Sequence, residues 1–166
     1  MSKPENLPAR VAVAVVMERR ALRNRWASER WEAIGVVRDD APKGAGSRVI
    51  VDSGDVLQVL FPGCELALHK HEAEGYYLNI TSPQPKVFVL WRMRDEGTPK
   101  PEMLTVSYNE GTRWADSGEQ VDGVALPPEL LGWIGEYVQA NYEPEPPQRK
   151  RYATNRDRGR MGRPGP

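Results

Sequence analysis

Side chains that alternate with a period of two constrain this chain more than any other feature, because only an extended strand sends successive residues to opposite faces. In RVAVAVVMERR the residues Val11, Val13, Val15 and Met17 share a face; in DVLQVLF Leu57, Val59 and Phe61 do; in MLTVSY Leu104, Val106 and Tyr108 do. Each reads as a half-buried strand. The same reading covers residues 31–38, 48–52, 65–70, 75–81 and 86–93. The last is apolar on both faces, with Val87, Val89 and Trp91 on one and Phe88 and Leu90 on the other, which places it in the middle of a sheet or under a helix. Short connections such as SPQP favour antiparallel neighbours, since a parallel crossover needs a much longer link. DSGD at 52–55 and DSGE at 116–119 read as two turns, because Asp and Ser bond their own backbone and Gly accepts positive φ.

The period changes after residue 126. In PPELLGWIGEYVQANY the residues Leu130, Leu131, Ile134, Tyr137 and Val138 recur at helical spacing, with proline in the first turn. EPEPPQ ends that helix, and the remainder has no apolar periodicity. The fold class predicted is therefore mainly β (α+β): a strongly bent antiparallel sheet or partly open barrel of about seven strands, with one C-terminal amphipathic helix packed on it. The expected organisation is a flexible N-terminus over 1–9, a globular domain over 10–147 and a disordered basic tail over 148–166.

A chain of 166 residues suffices for one domain with a real core. Its net charge is zero, yet the tail carries net +6 and everything before it net −6. An acidic body repels the polyanion that such a tail would attract, which argues against nucleic acid as the partner. Cys64 is the single cysteine, so neither an internal disulfide nor a cysteine-built zinc or iron–sulfur site can form within one chain. The apolar run at 11–17 is too short to span a bilayer and is followed at once by charges, so neither membrane insertion nor a signal peptide is expected. A cytoplasmic location fits these features.

Three constellations are candidates for function. In GCELALHKHEAE, Gly63, His69, His71 and Glu74 resemble the first half of the metal-site motif of cupin barrels. Leu66 and Leu68 must face the core of such a strand, however, which turns Glu65, His69 and His71 outward, and these are the only two histidines. In MERRALRNRWASERW, five arginines surround Trp26 and Trp31; Arg and Trp are enriched at binding hot spots because they join apolar area to directed hydrogen bonds. Trp31 reads as the start of a strand reaching the core. Arg23, Arg25, Trp26 and Arg30 are the candidate anchor for a protein partner. In EGYYLNITSPQP, Glu74 with Tyr77 and Asn79, the latter two on one strand face, could line a ligand pocket, against the plainer reading of tyrosines as good strand formers. No nucleophile–base pair, phosphate-binding glycine loop or cofactor fingerprint is visible, so no catalytic residue and no cofactor is assigned.

The blocks VAVVMERRALRNRWASERWEAIGVV, ELALHKHEAEGYYLNITSPQPKVFVLWR and TVSYNEGTRWADSGEQVDGVALPPELLGWIGEYV, in that order over residues 11–142, resemble a small proteobacterial family of unknown function, domain family 3305, whose genes lie near those of molybdenum-dependent formate dehydrogenase. The resemblance brings no fold or site residues with it. It implies a role in the maturation, stability or assembly of that enzyme. The expectation is thus a non-catalytic, protein-binding accessory factor whose partner is a redox-enzyme subunit or maturation factor. The alternative is a small-molecule or metal-binding barrel, and in that case an enzyme, with its pocket near Glu74, Tyr77 and Asn79 and with His69 and His71 as ligands.

Overall fold

The computed structural model describes residues 9–22, 28–94 and 97–144. The N-terminal segment before Ala9 and the basic tail 148–166 lie outside them, as do Arg23, Arg25 and Trp26. Among the described residues there are seven strands, as many as expected, but they form two sheets and no closed barrel. In the first sheet β1 (Arg10–Ala21) pairs with β2 (Glu29–Arg38) on one side and β4 (Val56–Ala67) on the other, and β3 (Arg48–Asp52) takes the outer edge of β4. In the second, β5 (Lys86–Met93) lies between β6 (Pro99–Thr105) and β7 (Gln120–Ala125). Every pairing is antiparallel, as expected, although residues 82–85 (SPQP) join a helix to β5 and do not link neighbouring strands.

The two sheets share one core. Val13, Val15 and Met17 of β1 join Val87, Val89 and Trp91 of β5 there, and each such buried side chain contributes roughly 1.5–3 kcal/mol. β2 lies against β7, and β4 against β6. Asp122 of β7 ties the first of these seams. Its Oδ2 accepts from the Ala33 backbone N–H of β2 at 2.9 Å and from Trp91 Nε1 at 2.7 Å. A single carboxylate oxygen thereby satisfies a strand-edge amide and a core indole.

Three helices, where one was expected, complete the core: α1 (Ala73–Ile80), entered through a 3-10 turn at Lys70–Glu72, α2 (Tyr108–Asp116) and α3 (Pro128–Asn141). α3 is the amphipathic helix anticipated, burying Leu130, Ile134 and Val138. The segment 75–81, read as a strand from its alternating tyrosine, leucine and isoleucine, is helical from Ala73 to Ile80. Its buried residues Ala73, Tyr76 and Asn79 recur every three positions, which a strand cannot bring to one face. The expected strand at 65–70 is the end of the long β4, which stops at Ala67, and Tyr108 opens α2 instead of continuing a strand.

α2 accounts for the outer apolar face of β5. Gly111 packs on Phe88 so closely that a Cβ there would lie 2.6 Å from the ring, so β5 is covered on both sides, as its sequence demanded. At the other extreme, a Cβ added at Gly132 or Gly135 of α3 would meet nothing within 4 Å. Alanine at either position is expected to raise stability by about 1 kcal/mol, the intrinsic helix preference of Ala over Gly. A urea midpoint that fails to rise would mean that these positions answer to something other than the helix.

Candidate functional sites

The end of the β1–β2 hairpin gathers charge. Register pairs Arg20 with Arg30, Arg19 with Trp31 and Glu18 with Glu32, so like charges stand directly opposite one another on two rungs. Such pairs are unfavourable unless other partners offset them. Glu18 is nearly buried, and its carboxylate accepts from Arg20 Nε at 2.5 Å and from Gln58 Nε2 at 2.8 Å. The bond from Arg20, then that from Gln58, holds its carboxyl below the usual range against the opposing effect of burial. Arg19 bonds to Glu29 at 3.5 Å and places its guanidinium 5.8 Å from the Trp31 ring centre. Trp31 is partly buried against the core, as expected, and its Nε1 is shielded from solvent without a hydrogen-bond partner. Arg30 is exposed and has no ion pair among the described residues. Of the proposed anchor residues it alone is described.

His69 follows the end of β4, and His71 lies in the 3-10 turn. Both are exposed, with ring centres 5.5 Å apart and planes within 23°. Leu66 and Leu68 are in the core, as the strand argument required. Glu65, on the opposite face, bonds to Arg10 at 3.2 Å. Among the described residues no three His, Cys, Asp or Glu side chains stand close enough to hold a metal ion.

Glu74 and Tyr77, three positions apart on α1, share its exposed side next to Tyr142, whereas Asn79 turns inward and does not join them. Glu74 lines an open cavity of about 360 Å³ with Lys70, His71, Tyr142 and Glu143. Tyr77 is exposed and stacks on Tyr142, ring centres 5.0 Å apart. Asn79 has its amide in the protein interior. Its Nδ2 donates to Lys86 O at 2.7 Å and to Val106 O at 2.9 Å, and its Oδ1 accepts from Lys86 N at 2.9 Å. All three bonds run to backbone groups, so the side chain joins α1 to the start of β5 and the end of β6.

One polar cluster was not read from the sequence. Glu72 is buried, accepts from Ser107 Oγ at 2.6 Å and pairs with Arg113. Ser107 is the N-cap of α2: its Oγ also accepts from the Glu110 backbone N–H at 3.1 Å. The signal was present in S-Y-N-E, since Ser at the cap with Glu three positions later is the signature of a helix start, and Gly118 at φ +86° closes the far end. A glutamate, a serine and an arginine suggest chemistry, but Ser107 is 0% exposed and its hydroxyl proton is directed at Glu72. No substrate atom can reach it. The cluster fastens α1 to α2.

Burial disfavours the Glu72 carboxylate, yet the bonds from Ser107 and Arg113 outweigh it and hold the carboxyl below its ordinary value of 4.5. A carboxyl whose folded-state pKa is depressed contributes stability above the unfolded-state value and loses it as pH falls through the folded one. Glu72→Gln is therefore expected to be less stable than the parent at neutral pH, with the gap narrowing as pH falls below 4.5. A gap that stays constant across that window in urea titrations would contradict this role. Cys64 offers no nucleophile at neutral pH: burial, aided by the charge of Asp39, pushes its thiol up to about 11.

The model of a family described as protein of unknown function (DUF3305) matches residues 12–151. The chain belongs to that family. The match spans both sheets and all three helices, so the DUF3305 domain includes the hairpin and the Glu72–Ser107 junction alike. No curated protein and no solved structure matches the chain.

Proposed function

We propose that this DUF3305 protein is a non-catalytic accessory factor that holds a protein partner through the end of the β1–β2 hairpin. The observation that carries the reading is the exposed pair Arg20 and Arg30, opposite one another across the hairpin, with Arg19 over Trp31 on the neighbouring rung. Two guanidiniums held at strand spacing suit carboxylates on a partner surface, and an adjoining tryptophan adds apolar area that salt does not screen. Arg23, Arg25 and Trp26, which lie between these strands in the sequence and outside the described residues, are proposed as part of the same anchor. The sealed Ser107 and the raised Cys64 thiol favour binding over covalent catalysis.

The partner we propose is a subunit or maturation factor of a molybdenum-dependent formate dehydrogenase, met in the cytoplasm. No helix among the described residues is long and apolar enough to cross a membrane. In cells, Trp26→Ala combined with Arg30→Glu is expected to lower co-purification of that enzyme's subunits by about 30-fold, the effect of losing a hot spot worth about 2 kcal/mol. Unchanged co-purification and unchanged formate dehydrogenase activity would remove the hairpin from consideration. Capture by a version ending at Pro147 separates body from tail: the proposal requires the same partner on both.

A second reading, a small-molecule or metal-binding protein, is favoured by one observation: His71 and Glu74 line the same cavity. Metal analysis of protein purified without a histidine tag decides it. Stoichiometric metal lost in His71→Ala would place this reading first.

A further inference from the structure

The face of the four-stranded sheet turned away from the core carries a cavity of about 490 Å³. Its floor is apolar: Ala14, Val37, Leu60 and Pro62 line it. Ala14 alternates with the core residues Val13 and Val15 and pairs with Val37, and Leu60 pairs with both Val16 and Arg48, so these positions belong to the outer side of the sheet. Its wall is the connection between β2 and β3, where Ala41, Ala45 and Gly46 are too small to fill the space. The connection is held in place by Asp39, whose carboxylate accepts from the Gly63 N–H at 2.8 Å and from the Ala41 N–H at 2.9 Å. Those two bonds hold the Asp39 carboxyl below its ordinary value and occupy both of its oxygens.

Arg38 and Arg48 also line this cavity. Asp39 and Asp40 line it too, the former with its oxygens taken up by the two amides, yet among the described residues neither arginine has a carboxylate within ion-pair distance. An apolar floor of this size with two unpaired guanidiniums asks for a ligand that is apolar at one end and anionic at the other, since a neutral molecule leaves the arginines unused and a bare anion leaves the floor wet. We propose that the cavity binds a small apolar carboxylate, its chain on Ala14, Val37 and Leu60 and its head group on Arg48 and Arg38. None of the residues proposed to hold a protein partner takes part.

Titration calorimetry on the full chain with octanoate, acetate and octan-1-ol tests both halves of the site. Octanoate is expected to bind, with acetate and octan-1-ol each at least about tenfold weaker, the difference a charge-assisted bond or a buried chain makes. Arg48→Ala should weaken octanoate about tenfold. Ala45→Phe, which fills the cavity from its exposed wall, should abolish binding. Both positions are exposed, and circular dichroism checks that each variant keeps the fold. Absence of octanoate binding overturns the proposal. So does binding that Arg48→Ala and Ala45→Phe leave unchanged, or acetate binding as tightly as octanoate, which would make the site an anion site alone.

Discussion

Gly75→Ala is expected to be among the most damaging single substitutions in this protein. The added Cβ would lie 2.0 Å from Ser107 Oγ, 3.0 Å from Ser107 Cβ and 3.4 Å from the Asn109 backbone nitrogen. Relief cannot come from swinging away a flexible side chain, because Ser107 is fully buried and its Oγ is engaged by both Glu72 and the Glu110 N–H. Either α1 moves off α2, opening the core around Tyr76, or the N-cap breaks and Glu72 loses a donor. Overpacking costs about 1–3 kcal/mol, a lost cap about 1, and the two act together here. A loss of about 3 kcal/mol or more is expected in the urea unfolding free energy. Its coupling to Ser107 is open to a double-mutant cycle: if Gly75→Ala costs as much in a Ser107→Ala background as in the parent, the contact is not the cause.

Asn79→Asp should be comparably severe although it alters no heavy-atom shape. The amide nitrogen that donates to Lys86 O and Val106 O becomes an oxygen, so two acceptors face a third at sites 2.7 and 2.9 Å from the present nitrogen. The residue is only 2% exposed, so solvent cannot relieve the charge. Two broken bonds at about 1 kcal/mol each and a buried carboxylate left with one donor, the Lys86 N–H, give a loss of about 3 kcal/mol or more at neutral pH. The sign of its pH dependence is diagnostic. Buried and facing two carbonyls with a single donor, the Lys86 N–H, the new acid has a raised pKa, so stability is greater at low pH, where the protonated form restores one donor, and is lost as pH rises through that value. A cost below about 1 kcal/mol, or one independent of pH, would mean that the amide is not what joins α1 to β5 and β6.

These two residues also show where a reading of the sequence stops. Asn79 stood out as polar among tyrosines and was assigned to a pocket with Glu74 and Tyr77. Its partners are backbone groups at residues 86 and 106, and no local pattern discloses a bond to the chain 27 positions away. Gly75 carried no signal at all. α1 has eight residues, barely two turns, rich in residues that favour strands, so its propensity argued against the conformation it adopts. Packing on α3 and the bonds from Glu72 and Asn79 decide it. α2 left a signal in its caps, Ser107 with Glu110 and then Gly118, but Ser107 and Tyr108 read as the end of a strand and 116–119 as a turn, so the helix between them went unread.

What the sequence determined by itself was set by short-range period. The strands at 48–52 and 86–93 have the bounds their alternation predicts, those near 11–17, 31–38 and 55–61 hold with longer ends, and α3 holds to within a residue or two. Antiparallel pairing holds throughout, and short connections account for it only where consecutive strands meet, as between β3 and β4 or β5 and β6. The tertiary structure alone decided that the strands divide into a sheet of four and a sheet of three instead of bending into one barrel. Alternation says which side chains face inward but not which strand supplies the neighbouring backbone. That choice rests on long-range contacts such as Asp122 with Ala33, 89 residues apart. The site residues divide in the same way: charge and exposure at Arg30 follow from composition and strand register, whereas the sealed Ser107, the inward Asn79 and the cavity bearing Arg38 and Arg48 exist only once distant segments meet.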